Sequence, residues 1–384
     1  MATNCNVCGH FLNSPIYESP DNRSITTMNK IINGKTEVYF CEVCSHLQTS
    51  KLPNLIEYYA SEYEINTVSD ESDQLYSACG DKVIYRSDHQ AAVLMDKVEF
   101  KPGMRVLDYG CAQSPTLRKV LITHPQIKPF LFDVTDRYVP IWKKFPQKIE
   151  WSTHVPNAAW TGTMDIVLSF YALEHIADLE QALLSIKALL KKGGIFYFLV
   201  PNVYSNIADF IVADHVNHFS SCSLLHMLGW HGFGDVEVDS ESHEAAFVVK
   251  AKLLENQRSV ITQAQDRNDL HGIALDMAQF WSNIVARLRQ FEATIGAGQA
   301  AIYGAGFYGN FIASTLINLE SILCFVDRNQ YLQGRFLDDK PIYRPEEMPN
   351  TVTHVFVGMN PRLARSNIES IDCWRGRKLS YFFL

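Results

Sequence analysis

Apolar runs alternate with helix-spaced apolar residues through the middle of the chain. Strands that are buried on both faces appear as continuous apolar runs, and four such runs are present, at 105–110, 129–133, 164–170 and 195–200. A helix-spaced series separates the last two runs: Leu179, Leu183, Ile186 and Leu190. This alternation predicts an α/β fold with a doubly wound parallel sheet, in which ligands bind at the carboxyl ends of the strands.

A second, smaller alternation occupies the last part of the chain. A strand pattern over 298–303 leads into the sequence Gly-Ala-Gly-Phe-Tyr-Gly at 304–309, and a further strand over 322–326 ends at Asp327. This order predicts a small Rossmann-like α/β domain. An amphipathic helix before it is predicted from a series of apolar residues at helical spacing: Ile273, Met277, Phe280, Ile284, Leu288 and Phe291.

These patterns and the chain length predict several domains. A chain of 384 residues is too long for one ordinary hydrophobic core. We expect a small N-terminal domain over 1–65, the main α/β domain over 66–254, a helical connector over 255–297 and the Rossmann-like domain over 298–384.

Composition excludes several classes of protein. A hydrophobic content of 47% is that of a globular protein, and a formal net charge of −8 without a lysine or arginine run argues against a nucleic-acid partner. No apolar stretch approaches the roughly 20 residues of a membrane span. The first residues lack the pattern of a signal peptide, and nine cysteines are an odd number, which favours reduced thiols. We therefore expect a cytoplasmic protein.

Four cysteines near the start form two pairs, each with two intervening residues: Cys5, Cys8, Cys41 and Cys44. This spacing lets each pair occupy adjacent corners of a tetrahedron around Zn²⁺. Four thiolates close the coordination shell, so the predicted zinc site is structural. His10 and His46, beside the pairs, are alternative ligands.

The run at 105–110 also predicts a nucleoside site. Asp108, Tyr109 and Gly110 end the strand, and the small residues Cys111, Ala112 and Ser114 form the turn before the next helix. Such a turn lets the backbone approach a bound nucleoside closely. About twenty residues later, the next strand ends at Asp133, where a carboxylate can accept both ribose hydroxyls.

Four segments resemble the successive motifs of the class I S-adenosylmethionine-dependent methyltransferases: "VLDYGCA", the acid Asp133, "FYALEHIAD" and "KKGGIFYFLVPN". The first motif differs from the Asp-x-Gly-x-Gly-x-Gly of that family, because Ala112 and Ser114 replace its second and third glycines. Both substitutes are small, but a positive backbone φ is more costly for them than for glycine. The resemblance implies S-adenosylmethionine as the cofactor.

The order of the three domains further resembles the sugar C-methyltransferases, which act on nucleotide-linked keto-deoxysugars. Local markers of this resemblance are "YYASEY" at 58–63, "HVNHFS" at 215–220, and "IYGAGFYG" with "FVDRNQYLQGR" in the C-terminal domain. It implies a nucleotide-linked sugar as the substrate and methylation at carbon by way of an enolate. Nothing in the sequence indicates the oligomeric state.

Candidate catalytic residues follow the predicted strands. His175 comes after the strand 164–170 and is a candidate base or enolate donor. By resemblance, Asp214 and His215 match the Glu-His pair of the family's catalytic stretch, and an adjacent carboxylate could hold His215 in one tautomer. His243 matches the start of a His-Gly-Gly-Ser stretch whose other positions differ here.

The aromatic residues at the strand ends have two interpretations. Tyr109, Phe170 and Tyr171 could face the sulfonium of the cofactor as cation–π partners, or they could be ordinary core residues.

Other functions stay open at this point. The acceptor atom could be an oxygen or nitrogen of a related carbohydrate. A nicotinamide-dependent oxidoreductase would use Gly304, Gly306 and Asp327. A non-catalytic protein with a degenerate adenosyl site would also fit the substitutions at 112 and 114.

Overall fold

The computed structural model describes residues 3–50, 73–79, 82–254, 264–295 and 299–384. The marker at 58–63 and the expected domain boundaries near 65 and 297 lie outside these residues. The chain forms two compact units, each built from separate stretches. The first unit contains Met1–Ser14, Tyr39–Phe210 and His215–Ile273, and the second contains Pro15–Val38, Ile211–Asp214 and Ala274–Leu384.

Short strands fill the N-terminal region: β1 Thr3–Asn4, β2 Phe11–Leu12, β3 Tyr17–Glu18, β4 Arg23–Ile25, β5 Ile31–Asn33, β6 Glu37–Phe40 and β7 Leu47–Thr49. The strands β1 and β2 form an antiparallel hairpin that carries the first cysteine pair, and β6 runs directly into the second pair. In the second unit, β4 and β5 form another antiparallel hairpin.

The middle of the chain supplies the main α/β layer structure. Its elements are β8 Leu75–Cys79, β9 Lys82–Tyr85, α1 Arg86–Lys97, β10 Arg105–Tyr109, α2 Pro115–Thr123, β11 Lys128–Asp133, α3 Val139–Trp142, β12 Glu150–Thr153, β13 Met164–Phe170, α4 Leu179–Leu189, β14 Leu190–Pro201, β15 Asn217–His218, α5 Ser221–Trp230, β16 Phe233–Asp239 and β17 Ala246–Leu253. The strands predicted from apolar runs correspond to β10, β11, β13 and β14.

The central sheet has seven strands in the order β12-β11-β10-β13-β14-β17-β16. Neighbours from β12 to β14 pair in parallel, whereas β17 is antiparallel to both β14 and β16. The predicted doubly wound parallel sheet is present over the five strands from β12 to β14, and β17 adds an antiparallel strand that the sequence analysis did not predict. The physical reason is the short connection from β16 to β17, which permits a hairpin but is too short for a parallel crossover.

Both faces of the central sheet are buried, which explains the continuous apolar runs. One hydrophobic cluster contains Leu107, Phe130 and Val167. Their neighbours along the same strands, Val106, Leu131 and Ile166, belong to a cluster on the other face. The parallel strands all end at one edge of the sheet, and the loops at that edge carry the candidate site residues.

The second unit contains a six-stranded sheet. The C-terminal elements are α6 Ala264–Glu292, β18 Gln299–Tyr303, α7 Phe307–Thr315, β19 Ile322–Val326, β20 Phe336–Leu337, β21 Lys340–Tyr343, β22 Val352–Val357, α8 Pro361–Glu369 and β23 Ser380–Phe383. The strand order is β20-β21-β19-β18-β22-β23, and β20 with β21 is the antiparallel pair.

The helix α6 follows most of the predicted apolar stripe. Met277, Ile284 and Leu288 are buried, whereas Ile273 is 43% exposed and the omitted Trp281 is 1% exposed. The Trp281 ring lies edge-on to Phe311 of α7, with 4.7 Å between the ring centroids. None of the described helices combines the length and the apolar composition that a membrane span requires.

Candidate active site

The four paired cysteines converge in the first unit. The Sγ atoms of Cys5 and Cys44 are 3.6 Å apart, and those of Cys8 and Cys41 are 3.5 Å apart. All four sulfurs lie within 4.8 Å of one another. Sulfurs at about 2.3 Å from a tetrahedral ion would be about 3.8 Å apart, so the cluster has the size of a tetrathiolate metal site.

The two cysteine pairs are built alike. Gly9 N donates to Cys5 O at 2.9 Å, and Ser45 N donates to Cys41 O at 2.8 Å. Both Gly9 and Ser45 have a left-handed backbone conformation. Of the alternative ligands, His46 places Nε2 3.2 Å from Asn217 Oδ1, and the group of converging sulfurs contains no histidine among the described residues.

Gly110 forms the turn that follows β10. Its φ is +70°, and a Cβ at this position would lie 2.8 Å from the Cβ of Ala172. The N–H groups of Gly110 and Cys111 both donate to Phe132 O, at 2.9 and 3.1 Å. The turn is thus packed between the end of β11 and the loop after β13, and any larger residue at 110 would displace that loop.

Ala112 and Ser114 adopt the conformation that the family's glycines would supply. Their φ values are 44° and 54°, which costs a non-glycine residue roughly 1–2 kcal/mol. Hydrogen bonds hold both residues in place. Trp142 Nε1 donates to Ala112 O at 2.7 Å, and Ser114 Oγ donates to Asp108 Oδ2 at 2.5 Å. The turn therefore keeps a left-handed backbone at both substituted positions.

Asp108 supports the turn from inside the protein. It is 2% exposed, and among the described residues its Oδ1 has no hydrogen-bond partner. Burial raises the pKa of Asp108 to about 7; the Ser114 hydroxyl lowers it and the neighbouring Asp133 charge raises it. The described residues thus leave one oxygen of this buried carboxyl group without a hydrogen-bond partner.

Asp133 lies at the end of β11, where a ribose-binding acid was predicted. Its Oδ2 accepts from Ala112 N at 2.8 Å and its Oδ1 from Thr135 N at 3.2 Å. Burial raises the pKa of Asp133, and the backbone N–H groups oppose this shift. Each carboxylate oxygen has a second acceptor site, so the side chain can hold the turn and still accept two hydroxyls.

The second unit contains the same arrangement around Asp327. Oδ2 of Asp327 accepts from Ala305 N and Oδ1 from Asn329 N, both at 2.8 Å. Gly304 has φ +99°, and a Cβ on Gly309 would lie 1.8 Å from Gly304 O. The two glycine turns are therefore held in the same way. Asp133 at the end of β11 bonds the turn after β10, and Asp327 after β19 bonds the turn after β18.

The three candidate aromatic residues differ in their surroundings. Tyr109 is buried in the core with its ring centroid 4.8 Å from that of Phe132. Phe170 is half-buried and packs near Tyr197 at 6.1 Å. The guanidinium of Arg86 lies 3.9 Å above the ring of Tyr171. The guanidinium of Arg86 therefore already occupies one face of the Tyr171 ring. Of the three candidates for a cation–π contact with the cofactor, Phe170 is the one that is neither fully buried nor covered by a cation.

Glu174 and His175 lie on a single 3₁₀ turn, Leu173–His175, that follows β13. Glu174 is 1% exposed, and its Oε2 has no hydrogen-bond partner among the described residues. Burial raises the pKa of Glu174 to about 7, against the attraction of His215. The rings of His175 and His215 are edge-on, 4.6 Å apart, so the structure brings these two predicted catalytic residues together.

Asp209, which sequence reasoning missed, holds His215. Its Oδ1 accepts from His215 Nδ1 at 2.6 Å, and its Oδ2 accepts from His218 Nδ1 at 2.8 Å. Burial alone would raise the pKa of Asp209, but the two histidines outweigh burial and keep that pKa well below its usual range. The spacing of Asp209, His215 and His218 on one short segment is a signal that could have identified the group.

Asp214 was expected to hold the tautomer of His215, and the structure corrects this expectation. Asp214 Oδ1 accepts from Thr27 N at 2.8 Å, and Oδ2 accepts from Thr27 Oγ1 at 2.5 Å. The tautomer of His215 follows from the bond of its Nδ1–H to Asp209.

Two overlapping sets of side chains at this site could also hold a cation. They are Glu174 with His175 and His215, and Asp209 with His215 and His218. In the second set, however, the ligand atoms already bond one another directly.

His243 occupies a separate buried position near Tyr171. Its Nδ1 donates to Glu244 O at 3.0 Å, and its Nε2 has no partner among the described residues. Burial lowers the pKa of His243 to about 4. Its ring lies 4.9 Å from Tyr76 and 5.3 Å from His89, two residues that the sequence did not single out. The neutral ring thus presents one unshared nitrogen lone pair.

Residues 85–238 match the family model described as a methyltransferase domain. This stretch contains the Gly110 turn, Asp133 and the Glu174–His175 turn. It forms a methyltransferase domain with the class I α/β fold, which is an enzyme domain of the transferase class. A search of curated protein sequences finds no match.

Several solved structures are similar to part of the chain. One is from the complex between the Haloferax volcanii Trm112 methyltransferase activator and the putative methyltransferase, with 18% identity, 44% of this chain and 91% of that chain covered, and a TM-score of 0.39. An S-adenosylmethionine-dependent methyltransferase from Aquifex aeolicus is 17% identical, with a TM-score of 0.37, and the match covers 43% of this chain and 89% of that chain. The CurJ carbon methyltransferase is 17% identical, with a TM-score of 0.36, and the match covers 42% of this chain and 51% of that chain. The chain thus spans about half the length of CurJ.

Proposed function

We propose that this chain transfers the methyl group of S-adenosylmethionine to a carbon of a nucleotide-linked keto-deoxysugar. The observation that carries the proposal is the position of the histidine cluster. The loop that bears Glu174 and His175 packs against the Gly110 turn through Ala172, and His215 lies against His175. These contacts support the proposal of a base beside the predicted adenosyl site.

The residues around Gly110 fit the methyl donor. The open-backbone turn, the buried Asp133 carboxylate and the unpartnered Oδ1 of Asp108 are suited to a nucleoside. S-adenosylmethionine supplies an electrophilic methyl group on sulfur. The chain has to hold the donor, align the acceptor carbon with the methyl group and exclude water.

His215 is the best-supported base for a carbon acceptor. Its Nδ1–H donates to Asp209, so Nε2 carries the lone pair and can remove the proton next to the keto group. The Asp209 carboxylate then stabilises the imidazolium that forms. His175, edge-on to His215, is assigned to donate a hydrogen bond to the enolate oxygen.

The sugar substrate rests on sequence resemblance, which includes the segment 215–220 that carries His215 and His218. A second candidate function is O-methylation of a related carbohydrate. One observation favours it: the unpartnered, neutral Nε2 of His243 could accept the proton of a hydroxyl group.

We also propose a structural zinc ion at Cys5, Cys8, Cys41 and Cys44. The separations of the sulfurs and the matching turns of the two pairs support this assignment. Four thiolates would leave no open position for water.

The decisive experiment supplies methyl-labelled S-adenosylmethionine with thymidine and cytidine diphosphate-linked keto-deoxysugars, and with their hydroxyl counterparts. We expect label on carbon next to the keto group, and a loss of about 10²–10⁴-fold in rate for His215→Gln with unchanged donor affinity. The half-buried His124 provides the control His124→Gln.

Other outcomes would select other functions. Label on oxygen, lost in His243→Gln, would support the second candidate. Reduction or oxidation of the sugar with NAD(H), lost in Asp327→Ala, would support an oxidoreductase. A folded protein that does not bind the donor would overturn the proposal.

A further inference from the structure

A buried asparagine joins the first cysteine pair to the turn that carries Glu174 and His175. We infer that Asn217 is a positioning residue that sets the location of His175 and His215 relative to the methyl donor. The inference rests on the proposed function for its catalytic consequence. The hydrogen bonds of the Asn217 side-chain amide, which we call the Asn217 clamp, are seen in the structure itself.

The Asn217 amide uses all of its hydrogen-bonding capacity. Nδ2 donates to Leu173 O at 2.9 Å and to Ile176 O at 2.8 Å. Oδ1 accepts from Asn6 Nδ2 at 2.9 Å and from His46 Nε2 at 3.2 Å. An amide has two donor hydrogens and two acceptor sites, so this side chain has one orientation in which every group is satisfied.

The clamp acts on a segment that has little stability of its own. The 3₁₀ turn Leu173–His175 is closed by bonds from His175 N to Ala172 O at 3.1 Å and from Ile176 N to Leu173 O at 3.2 Å. So short a turn has few hydrogen bonds of its own. Asn217 adds a bond to Leu173 O and another to Ile176 O, on either side of Glu174 and His175, and so holds the backbone that carries both side chains.

The Asn217 oxygen is bonded by residues beside the cysteine pairs, Asn6 and His46; we call the segments 3–12 and 39–49, which carry the four cysteines, the cysteine module. Asn6 lies between Cys5 and Cys8, and its backbone N–H donates to Gln48 Oε1 at 2.7 Å. Gln48 Nε2 in turn donates to Asn4 O at 3.1 Å. The first cysteine pair therefore reaches Asn217 through the Asn6 side chain, and Gln48 holds the backbone of Asn6.

Strand pairing fixes the same segment a second time. Asn217 is opposite Gln48 in the antiparallel pair of β15 with β7. His218 Nε2 lies 2.8 Å from Thr49 Oγ1, and His218 Nδ1 donates to the Asp209 carboxylate that also holds His215. Both predicted catalytic histidines are thus located by residues that pack on the cysteine module.

The contacts of Asn217 give the segments around the cysteines an indirect role in catalysis. We assign no described residue around the four cysteines to the predicted donor site, yet we infer that this region sets where the base and the enolate donor lie. A small displacement of a catalytic group can reduce a rate by about 10²-fold. We expect substitutions at Asn217 to slow methyl transfer and to leave donor binding unchanged.

The test uses Asn217→Asp, which keeps the shape and the acceptor oxygen and replaces the donating nitrogen by a second, charged carboxylate oxygen. The readouts are the ¹⁵N and ¹³C chemical shifts of the His175 and His215 rings in the full-length, metal-loaded protein, with signals identified from His175→Gln and His215→Gln. We expect both rings to shift in Asn217→Asp and the His124 ring to stay in place. The turnover number should fall by about 10–100-fold, with an unchanged KM for S-adenosylmethionine.

The ring shifts need no sugar, so they decide the inference even if the proposed acceptor is wrong. If Asn217→Asp folds and leaves the shifts of His175 and His215 at their wild-type values, the inference is overturned. If it does not fold, Asn6→Ala replaces it, because that change removes one bond to Asn217 and keeps the two bonds to the turn. Asn6→Ala should move the same two rings by a smaller amount, and an unmoved His175 ring would overturn the inference.

Discussion

The carboxylate of Asp133 and the backbone N–H of Ala112 are joined by a hydrogen bond of 2.8 Å. This bond ties the end of β11 to the turn after β10, so the predicted ribose acceptor also supports the turn that would approach the nucleoside. Asp327 and Ala305 repeat the relationship at the same distance in the second unit.

Asp133→Ala should weaken S-adenosylmethionine binding. The variant loses the acceptor for the ribose hydroxyls and the support of the turn, and a hydrogen bond to a charged group contributes about 1.5–3 kcal/mol. We expect a loss of affinity of at least about 10-fold in titration calorimetry. Asp327→Ala is the matched control, because it removes the same device from the other unit, and its donor affinity should equal that of the wild type. Equal affinities for both variants would contradict the assignment of the donor site.

Gly110→Ala should damage the donor site beyond the ordinary cost of its backbone conformation. An alanine at φ +70° is strained by roughly 1–2 kcal/mol, and its Cβ would also meet Ala172 at 2.8 Å. Gly162→Ala serves as the control, since Gly162 has φ +65° and open space around its Cβ position. Both variants should melt at lower temperature, but donor affinity should fall in Gly110→Ala alone. If both keep full affinity, the turn does not contact the donor.

Metal analysis should find about one zinc ion per chain, as a single tetrathiolate site requires. Cys41→Ser should lose the ion and melt at lower temperature, because metal binding contributes directly to folding free energy. Cys373→Ser is the control, since Cys373 is an exposed thiol outside the cluster, and it should retain both the ion and the melting temperature. Full metal content in Cys41→Ser would disprove the site.

Acid should destabilise the protein in part through His243. Burial holds the pKa of His243 at about 4, below the value of 6.5 that it has when unfolded. Between these values the unfolded chain binds more protons, so the free energy of unfolding falls as the pH falls through this window. The contribution is at most about 1.4 kcal/mol per pH unit. Urea unfolding at pH 7 and pH 5 should show a smaller loss for His243→Gln than for the wild type or His124→Gln. Identical losses in all three proteins would show that His243 is not the titrating group.

The sequence located the elements whose signal is local. The strands β10, β11, β13 and β14 are buried on both faces, and their apolar runs are visible without any partner. Asp133 could be found because its distance from the Gly110 turn is set by one helix and one strand. The methyltransferase domain confirmed by the family match lies around these elements.

The relationships that the sequence did not supply depend on contacts between distant segments. The partner of His215 is Asp209 because the intervening residues fold back on themselves, and no pattern of apolar spacing reports that. The antiparallel β17 was missed because its direction is set by the hairpin with β16. The apolar spacing predicted that Ile273 lies on the buried face of α6, but its side chain is 43% exposed. Helical spacing alone does not show where along the helix the packing against other elements ends.

The segmented composition of the second unit affects how the protein can be made. Residues 15–38 belong to the same compact unit as residues 274–384, and Arg289 Nη2 binds Asp21 Oδ2 at 2.5 Å. The ribosome therefore releases the first part of this unit long before its sheet exists, although domains usually fold in the order of synthesis. During that interval the β4–β5 hairpin lacks the residues of 274–384 with which it forms a unit. The nascent chain can therefore misassemble during translation.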